Sequence, residues 1–251
     1  MSTDKCGQDT GLGNFPLFFG IETEALRRIE NAGEVRHYKT GDLLLKQGGP
    51  GDFVCVLTKG VVRVFINEPV SGAEILVKLF AAPAIFGEME ALGGHRMVES
   101  VAALRHSEAH VYPGGTFNSI LEEHPQVGVR LLRDVCERFY VAAQNQGYQA
   151  IASVEQRLAG LLASYARLMG VKVAGGVQIV ADLTQESLAQ SVAATRKSIQ
   201  RTFTTWTDKG LLQRDGRSMV IRDIEVFEEI AGMDAPRYDY RLTKRICLPL
   251  S

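Results

Sequence analysis

The sequence predicts an α+β chain in three parts: a β-roll (jelly roll), one long helix, and a compact helical module closed by a β-hairpin. Three observations carry this reading. Between Val35 and about Val111, short β-rich runs alternate with Gly and Pro punctuation, the pattern of a compact barrel or roll. From Pro125 the apolar period switches to three-to-four spacing and holds for about five turns. From Asp182 to Ile221, two short helical patterns meet at a pair of small residues and lead into a hairpin with an Asp-Gly turn.

The bulk numbers fit this division. A chain of 251 residues is long enough for one large domain or two small ones. Hydrophobic residues make up 45%, charged residues 23% and aromatics 8%, ordinary globular values that exclude disordered and fibrous classes. No run of about 18 apolar residues is present. The opening MSTDKCGQDTGLGNF has no apolar h-region, so no signal peptide and no membrane partner are expected, and the cytoplasm is the expected address. Cys6, Cys55, Cys136 and Cys247 are scattered, with no CxxC pair. That spacing fits reduced thiols and predicts neither a zinc site nor an iron–sulfur cluster. Net charge is −1, but from Val154 onward 14 Lys/Arg face 11 Asp/Glu, against 14 and 18 in the rest. A mildly basic rear behind an acidic front suits a nucleic-acid-binding module tethered to a sensor.

Taken in order, residues 1–15 read as a flexible N-terminus. Residues 16–33 read as short helices with Leu26 and Ile29 on one face. The strands expected within a 16–124 sensor domain are Leu43–Leu45, Val54–Leu57, Val61–Ile66, Ile75–Phe80 and Val101–Leu104, with turns at Gly48–Gly51, Lys59-Gly60, Ser71-Gly72 and Gly93-Gly94. Pro125 suits a first helical turn. Beyond it, Val129, Leu132, Val135, Phe139 and Ala142 form a stripe that reads as a dimer seam or, alternatively, as the buried face of a helix packed on its own domain. Residues 125–150 are therefore assigned to a dimerisation helix and hinge, with Gly147 to Ser153 as the hinge stretch. A second helix, VEQRLAGLLASYARLMG, stops at Gly170, and VKVAGGVQIV reads as a hairpin around Gly175-Gly176.

The segment DLTQESLAQSVAATRKSIQRTFTTWTDKGLLQRDGRSMVI carries the functional signal. Leu183, Leu188, Ala189 and Val192 give a first short helix an apolar face, Ala193-Ala194 make a tight turn, and Thr195 suits an N-cap. Ile199, Phe203 and Trp206 point inward on the next helix, leaving Arg196, Lys197, Gln200 and Arg201 on the opposite face. Arg reads guanine O6 and N7 bidentately and Gln pairs with adenine. A polar cluster in the first turns is where a recognition helix enters the major groove. The hairpin around Asp215-Gly216 is a wing, offering Arg214 and Arg217 to backbone phosphates. Residues 151–231 thus read as a winged helix-turn-helix.

With these residues in view, the chain resembles the CRP/FNR regulators from about Phe18 to Ile221. Four blocks carry the resemblance: GDLLLKQGGPGDFVCVLTKGVVRVF, the Phe86-Gly87-Glu88 triplet, the long helix after His124-Pro125, and LTQESLAQSVAATRKSIQRTF. The resemblance implies a cyclic-nucleotide-binding-like roll and a homodimer on palindromic double-stranded DNA, with RNA polymerase as a further partner if the chain activates transcription. Half-site centres would lie about 34 Å apart. Arg196 and Arg201 match the family's base- and phosphate-contacting arginines, and Thr184, Ser198, Gln200, Arg214 and Arg217 complete the expected DNA-contacting set. Lys197 stands where many members carry a Glu that accepts from cytosine N4. A cation cannot accept that bond, so a half-site different from the family's TGTGA is expected.

The same resemblance points away from cAMP as effector. The family's Arg-Ser pair falls on Met97-Val98, with Arg96 one position off, and its Thr-Ser pair on the long helix falls on Ala142-Ala143. Gly87, Glu88, Arg96, Met97, Val98, Ala142 and Ala143 are the expected effector-pocket residues. Haem stays the open alternative, because His37, His95, His106 and His110 lie in the roll and His95, beside Gly93-Gly94, is the natural ligand candidate. Two other functional classes fit these residues less well. A kinase-type nucleotide-binding module lacks a basic helix-turn-helix. An enzyme is not expected, because HExxH, GxSxG, GxxxxGK[ST] and a nucleophile–base pair are all missing. The basic stretch 232–251 extends past the resemblance, and contact with flanking DNA, packing on the sensor and a solvated tail all stay open.

Overall fold

The computed structural model describes residues 11–69, 72, 74–179, 183–215, 218–232 and 239–240. A 3-10 turn at Pro16–Phe18 leads to α1 (Thr23–Ala32), β1 (Glu34–Tyr38), β2 (Leu43–Leu45), β3 (Phe53–Lys59), β4 (Val61–Asn67), β5 (Glu74–Ala81) and β6 (Ala84–Phe86). A short α2 (Glu88–Gly93) precedes β7 (Ser100–Ala103) and β8 (Ser107–Pro113). Next come α3 (Gly114–Glu123), α4 (Pro125–Ile151) and α5 (Val154–Met169), followed by β9 (Gly170–Val173) and β10 (Gly176–Ile179). The C-terminal module is completed by α6 (Gln185–Ser191), α7 (Arg196–Asp208), β11 (Leu212–Asp215), β12 (Ser218–Ile221) and α8 (Ile224–Ala231), after which β13 (Asp239–Tyr240) closes the described chain.

The roll consists of a sheet ordered β1-β8-β3-β6 facing one ordered β13-β5-β4-β7-β2. Strand alternation explains how it packs. Cys55 and Leu57 on β3 point between the sheets with Val62, Val64, Phe80 and Phe86, while Val54 and Val56 point to the other side. That outer side is covered by Leu12, Phe15, Leu26, Ile29, Phe117, Val127 and Leu131. Both faces of β3 are therefore dry, which is why FVCVL reads as one apolar run. The expectation of a frayed start fails from residue 11 onward. Leu12 and Phe15 are buried, and the backbone N–H of Leu12 donates to Glu30 Oε1 at 3.2 Å.

The outer face of β4–β5 is partly covered by the C-terminal module. Val61, Leu76, Leu79 and Ala81 share one core with α5, α6, α7 and α8. Arg105 of the roll adds a hydrogen bond from Nη2 to Met169 O at 2.6 Å. β13 lies parallel to β5, with Asp239 opposite Leu79 and Tyr240 opposite Phe80. Part of the 232–251 extension thus packs on the roll, while its remaining residues lie outside those described. The two hairpins of the C-terminal module also merge into one sheet ordered β11-β12-β10-β9, a joining the sequence did not signal.

Two boundaries differ from expectation. Helix α4 runs unbroken through Gly147 to Ile151, so the hinge shrinks to Ala152 and Ser153. Ser153 starts α5 with a capping box, its Oγ accepting from Gln156 N while its own backbone N–H donates to Gln156 Oε1. Strands β1, β6 and β8 were not among those expected.

The shared core makes a prediction. Trp206 is the one Trp in the chain and lies in the C-terminal module, so its fluorescence reports that module's unfolding. Leu79→Ala, in the roll, is expected to lower the stability seen at Trp206 by about 2–5 kcal/mol, the usual cost of a buried Leu. An unshifted Trp206 transition would mean that the two parts unfold independently.

Candidate nucleic-acid interface and effector pocket

The helix-turn-helix is built by caps and one unusual turn. Thr184 Oγ1 accepts from Ser187 N at 3.0 Å and starts α6; Thr195 Oγ1 accepts from Ser198 N at 3.1 Å and starts α7. Between them Ala193 adopts φ 48, the left-handed region that a Cβ disfavours. Ile199, Phe203 and Trp206 are buried on one side of α7. Trp206 Nε1 donates to Glu155 Oε1 at 2.9 Å, and its ring meets Phe227 edge-on at 4.8 Å. Arg196, Lys197, Gln200 and Arg201 are all exposed on the other side, with Ser198 half-buried beneath its cap bond. The predicted basic face is thus assembled and open. Arg214 of the wing also has a contact inside the module. Its guanidinium stacks on the Phe203 ring, 4.6 Å from the centroid, and braces the wing against α7. Arg217 and the wing tip lie outside the described residues.

The second site lies where α2 and the roll meet α4. Gly87 takes φ 84, and a Cβ there would sit 2.6 Å from Phe53 O, so only glycine fits this approach to the start of α2. Glu88, the next residue, is buried and ion-paired with Arg138 of α4, whose Nε also lies 3.0 Å from Asp134 Oδ2. That second pair is close enough for ionic attraction and poorly aligned for a hydrogen bond. Glu88 Oε2 and Asp134 Oδ1 have no hydrogen-bond partner. Burial pushes the Asp134 carboxyl up to about 7, against the pull of Arg138 and with Glu88 adding to the rise. The free space beside Glu88 and Met97 is only about 40 Å3, against roughly 300 Å3 or more for a small-molecule pocket. A larger recess, about 790 Å3, opens between the roll and α6 and is lined by Arg63, Glu74, Tyr165 and Ser187, among others, but by none of the expected effector residues.

Comparison with known proteins agrees with this layout. Residues 35–124 match the model of the cyclic nucleotide-binding domain, and residues 156–230 match the Crp-like helix-turn-helix domain. A CRP-like cAMP-activated global transcriptional regulator of Mycobacterium tuberculosis is 24% identical over 217 residues, covering 86% of this chain and 96% of that protein. A global nitrogen regulator of Nostoc is 24% identical over 208 residues, covering 82% and 89%. Among solved structures, a putative CRP/FNR regulator from Eubacterium rectale superposes with a TM-score of 0.71 at 16% identity, covering 86% of this chain and 98% of that one. The chain belongs to the CRP/FNR family of transcription regulators.

Within this CRP/FNR regulator, the expected effector residues separate. Gly87, Glu88 and Met97 line the small cavity. Arg96 does not: it is exposed and donates from Nη1 to Gly48 O at 2.7 Å. Val98, Ala142 and Ala143 are exposed as well, so the expectation that they face the pocket is corrected. What sequence reading missed is Arg138 with Asp134, although their i,i+4 spacing on the long helix is a readable signal. His95 stands exposed after α2 and borders neither of the two cavities described above. Cys55 is buried and Cys136 exposed, both as free thiols, while Cys6 and Cys247 lie outside the described residues.

The raised Asp134 group sets a pH dependence. Its unfolded pKa is about 3.9, so between that value and about 7 the folded state holds a proton that the unfolded state has released. Stability from this group is complete below the unfolded value and is lost as pH rises through the folded one. Asp134→Asn is expected to remove that slope and to gain relative to wild type as pH rises from 5 to 8, read by urea denaturation. Parallel pH profiles for the two proteins would contradict it.

Proposed function

We propose that this regulator binds a two-fold symmetric DNA site as a homodimer, that α4 forms the dimer seam and α7 reads each half-site, and that binding does not depend on cAMP. The observation that carries the reading is the two-sidedness of α7, with its apolar side wholly buried and Arg196, Lys197, Gln200 and Arg201 all open on the other. In this reading residues 16–124 are the sensor, 125–150 the dimer helix, 151–231 the DNA-binding module and 232–251 an extension. RNA polymerase is the further partner if the regulator activates.

The dimer seam is supported by α4. Val129, Leu132 and Phe139 are 49%, 62% and 74% exposed, and Cys136 and Tyr140 join them. Large apolar side chains in one exposed row are costly unless a partner covers them. Two-fold symmetry brings the same row from a second copy, and antiparallel or parallel helices then interdigitate. Val135 does not belong to that row: it packs on the core of its own roll. Ala142 is exposed. A cAMP-independent mode is supported by the small cavity, by Met97 in place of a hydroxyl, and by Lys78 and Arg138 both being engaged already with acids. A buried phosphate needs cations that are free to offset its desolvation.

Binding and assembly measurements test this. Duplexes selected from a randomised pool should carry an inverted repeat, with affinity falling steeply with salt and unchanged by cAMP. Phe139→Glu should shift the protein to monomer in sedimentation equilibrium and weaken the selected duplex by about 10²-fold or more, the avidity of two linked sites. Arg201→Ala should cost about 1–3 kcal/mol. Selection of a sequence without symmetry, or a saturable heat on cAMP addition, would refute the corresponding part.

A further inference from the structure

The passage from α4 to α7 is held by one side chain. Arg157 sits in the first turn of α5, directly after the Ala152–Ser153 hinge. Its Nη1 donates to Ala152 O at 2.6 Å and to Gln149 O at 3.3 Å, two carbonyls at the end of α4. Its Nε donates to Val192 O at 2.9 Å and its Nη2 to Ala193 O at 3.4 Å, at the end of α6 and in the left-handed turn before α7. One planar cation thus joins the dimer helix, the hinge and the helix-turn-helix turn.

The chemistry suits that position. Helix ends leave carbonyls without intrahelical partners and carry partial negative charge, so a cation there is favoured. Guanidinium offers five donors in a fixed fork, and four acceptors around it fix its plane. A lysine ammonium is a point charge with three donors on a flexible stem and cannot span both ends in one geometry. The bracket also works from a short lever. Arg196, the first residue of α7, lies three positions after Ala193, so a rotation at Ala193 is passed directly to the recognition helix. Tyr148 of α4, whose hydroxyl donates to Ala231 O at the end of α8, supplies a second strut on the far side of the module.

We infer that Arg157 is the positioning residue that sets the orientation of α7 relative to the dimer helix, and thereby the half-site spacing the regulator accepts. It touches no base. The inference rests on the homodimer reading above. If α4 pairs about a two-fold axis, the angle between α4 and α7 determines how far apart the two recognition helices stand and how they face the grooves. A palindrome read by rigid helices tolerates little change in spacing, because one base pair both lengthens the site and rotates it along the duplex.

The test is selection from randomised duplexes by wild type, Arg157→Gln and Arg157→Lys, each first shown to be folded by its thermal melt. Wild type should select one centre-to-centre spacing and discriminate by about tenfold or more against a site one base pair longer, the size of a mismatch penalty. Arg157→Gln should keep the half-site sequence but spread over several spacings, with discrimination falling below about threefold. Arg157→Lys should lie between them and serves as the readout should the glutamine variant not fold. Variants that select as sharp a spacing as wild type overturn the bracket alone. Folded variants that lose half-site sequence together with spacing also overturn it, since Arg157 would then be shaping the reading face itself. A wild-type pool without two-fold sites refutes the homodimer reading, and the bracket falls with it.

Discussion

The organisation of the molecule depends on the burial of Trp206. This indole joins three helices: it belongs to α7, donates to Glu155 of α5 and meets Phe227 of α8 edge-on. With Ile199 and Phe203 it commits one side of α7 to the core, and the geometry of a helix then leaves the cationic side no direction but outward. Burying such a side chain contributes several kcal/mol, about 3–5 by the usual cost of truncating it. A reading helix needs that rigidity, because contacts to base edges discriminate only when their donors are fixed in place.

The same economy of contacts recurs along the chain. The roll is not a separate bead, since the outer face of β4–β5 supplies Val61, Leu76, Leu79 and Ala81 to the core that holds α7. Helix α4 is tied to the roll by Arg138 reaching Glu88 and by Val127 and Leu131 in the second core. At its far end it is tied to the C-terminal module by Arg157 and Tyr148. A displacement of Glu88 therefore has a continuous physical route to the turn before α7, through one buried guanidinium, one helix and one bracket. At the start of that route burial pushes the Asp134 carboxyl up to about 7, with Glu88 adding to the rise against the pull of Arg138.

Much of this was readable in the residues, for identifiable reasons. The helix-turn-helix was legible because its signals are local: caps at Thr184 and Thr195, small residues at Ala193-Ala194, and three-to-four spacing through Trp206. The long helix was legible from Pro125 and its period, but its facing was not. Val135 fits the stripe by spacing and yet packs inward, because a helix that touches its own roll on one side shares its apolar residues between two faces. Gly147 suggested a break that neighbouring helical residues override. Strand β1 has four exposed residues in five, so alternation could not reveal it. The Glu88–Arg138 pair and the Arg157 bracket were hidden because their partners lie 35 or more residues away in the chain or are backbone carbonyls, which leave no mark on side-chain pattern.

The proposed homodimer presents two outward-facing copies of α7 to one face of a duplex. Hydroxyl-radical footprinting on a tightly bound duplex tests it most directly, because the cleavage pattern records where the protein shields the backbone without assuming which bases are read. Two protected patches related by two-fold symmetry are expected, centred about one helical turn apart, with loss of both patches when the α7 arginines are removed. A single patch, an unsymmetric pattern, or protection that survives removal of Arg196 and Arg201 would contradict it.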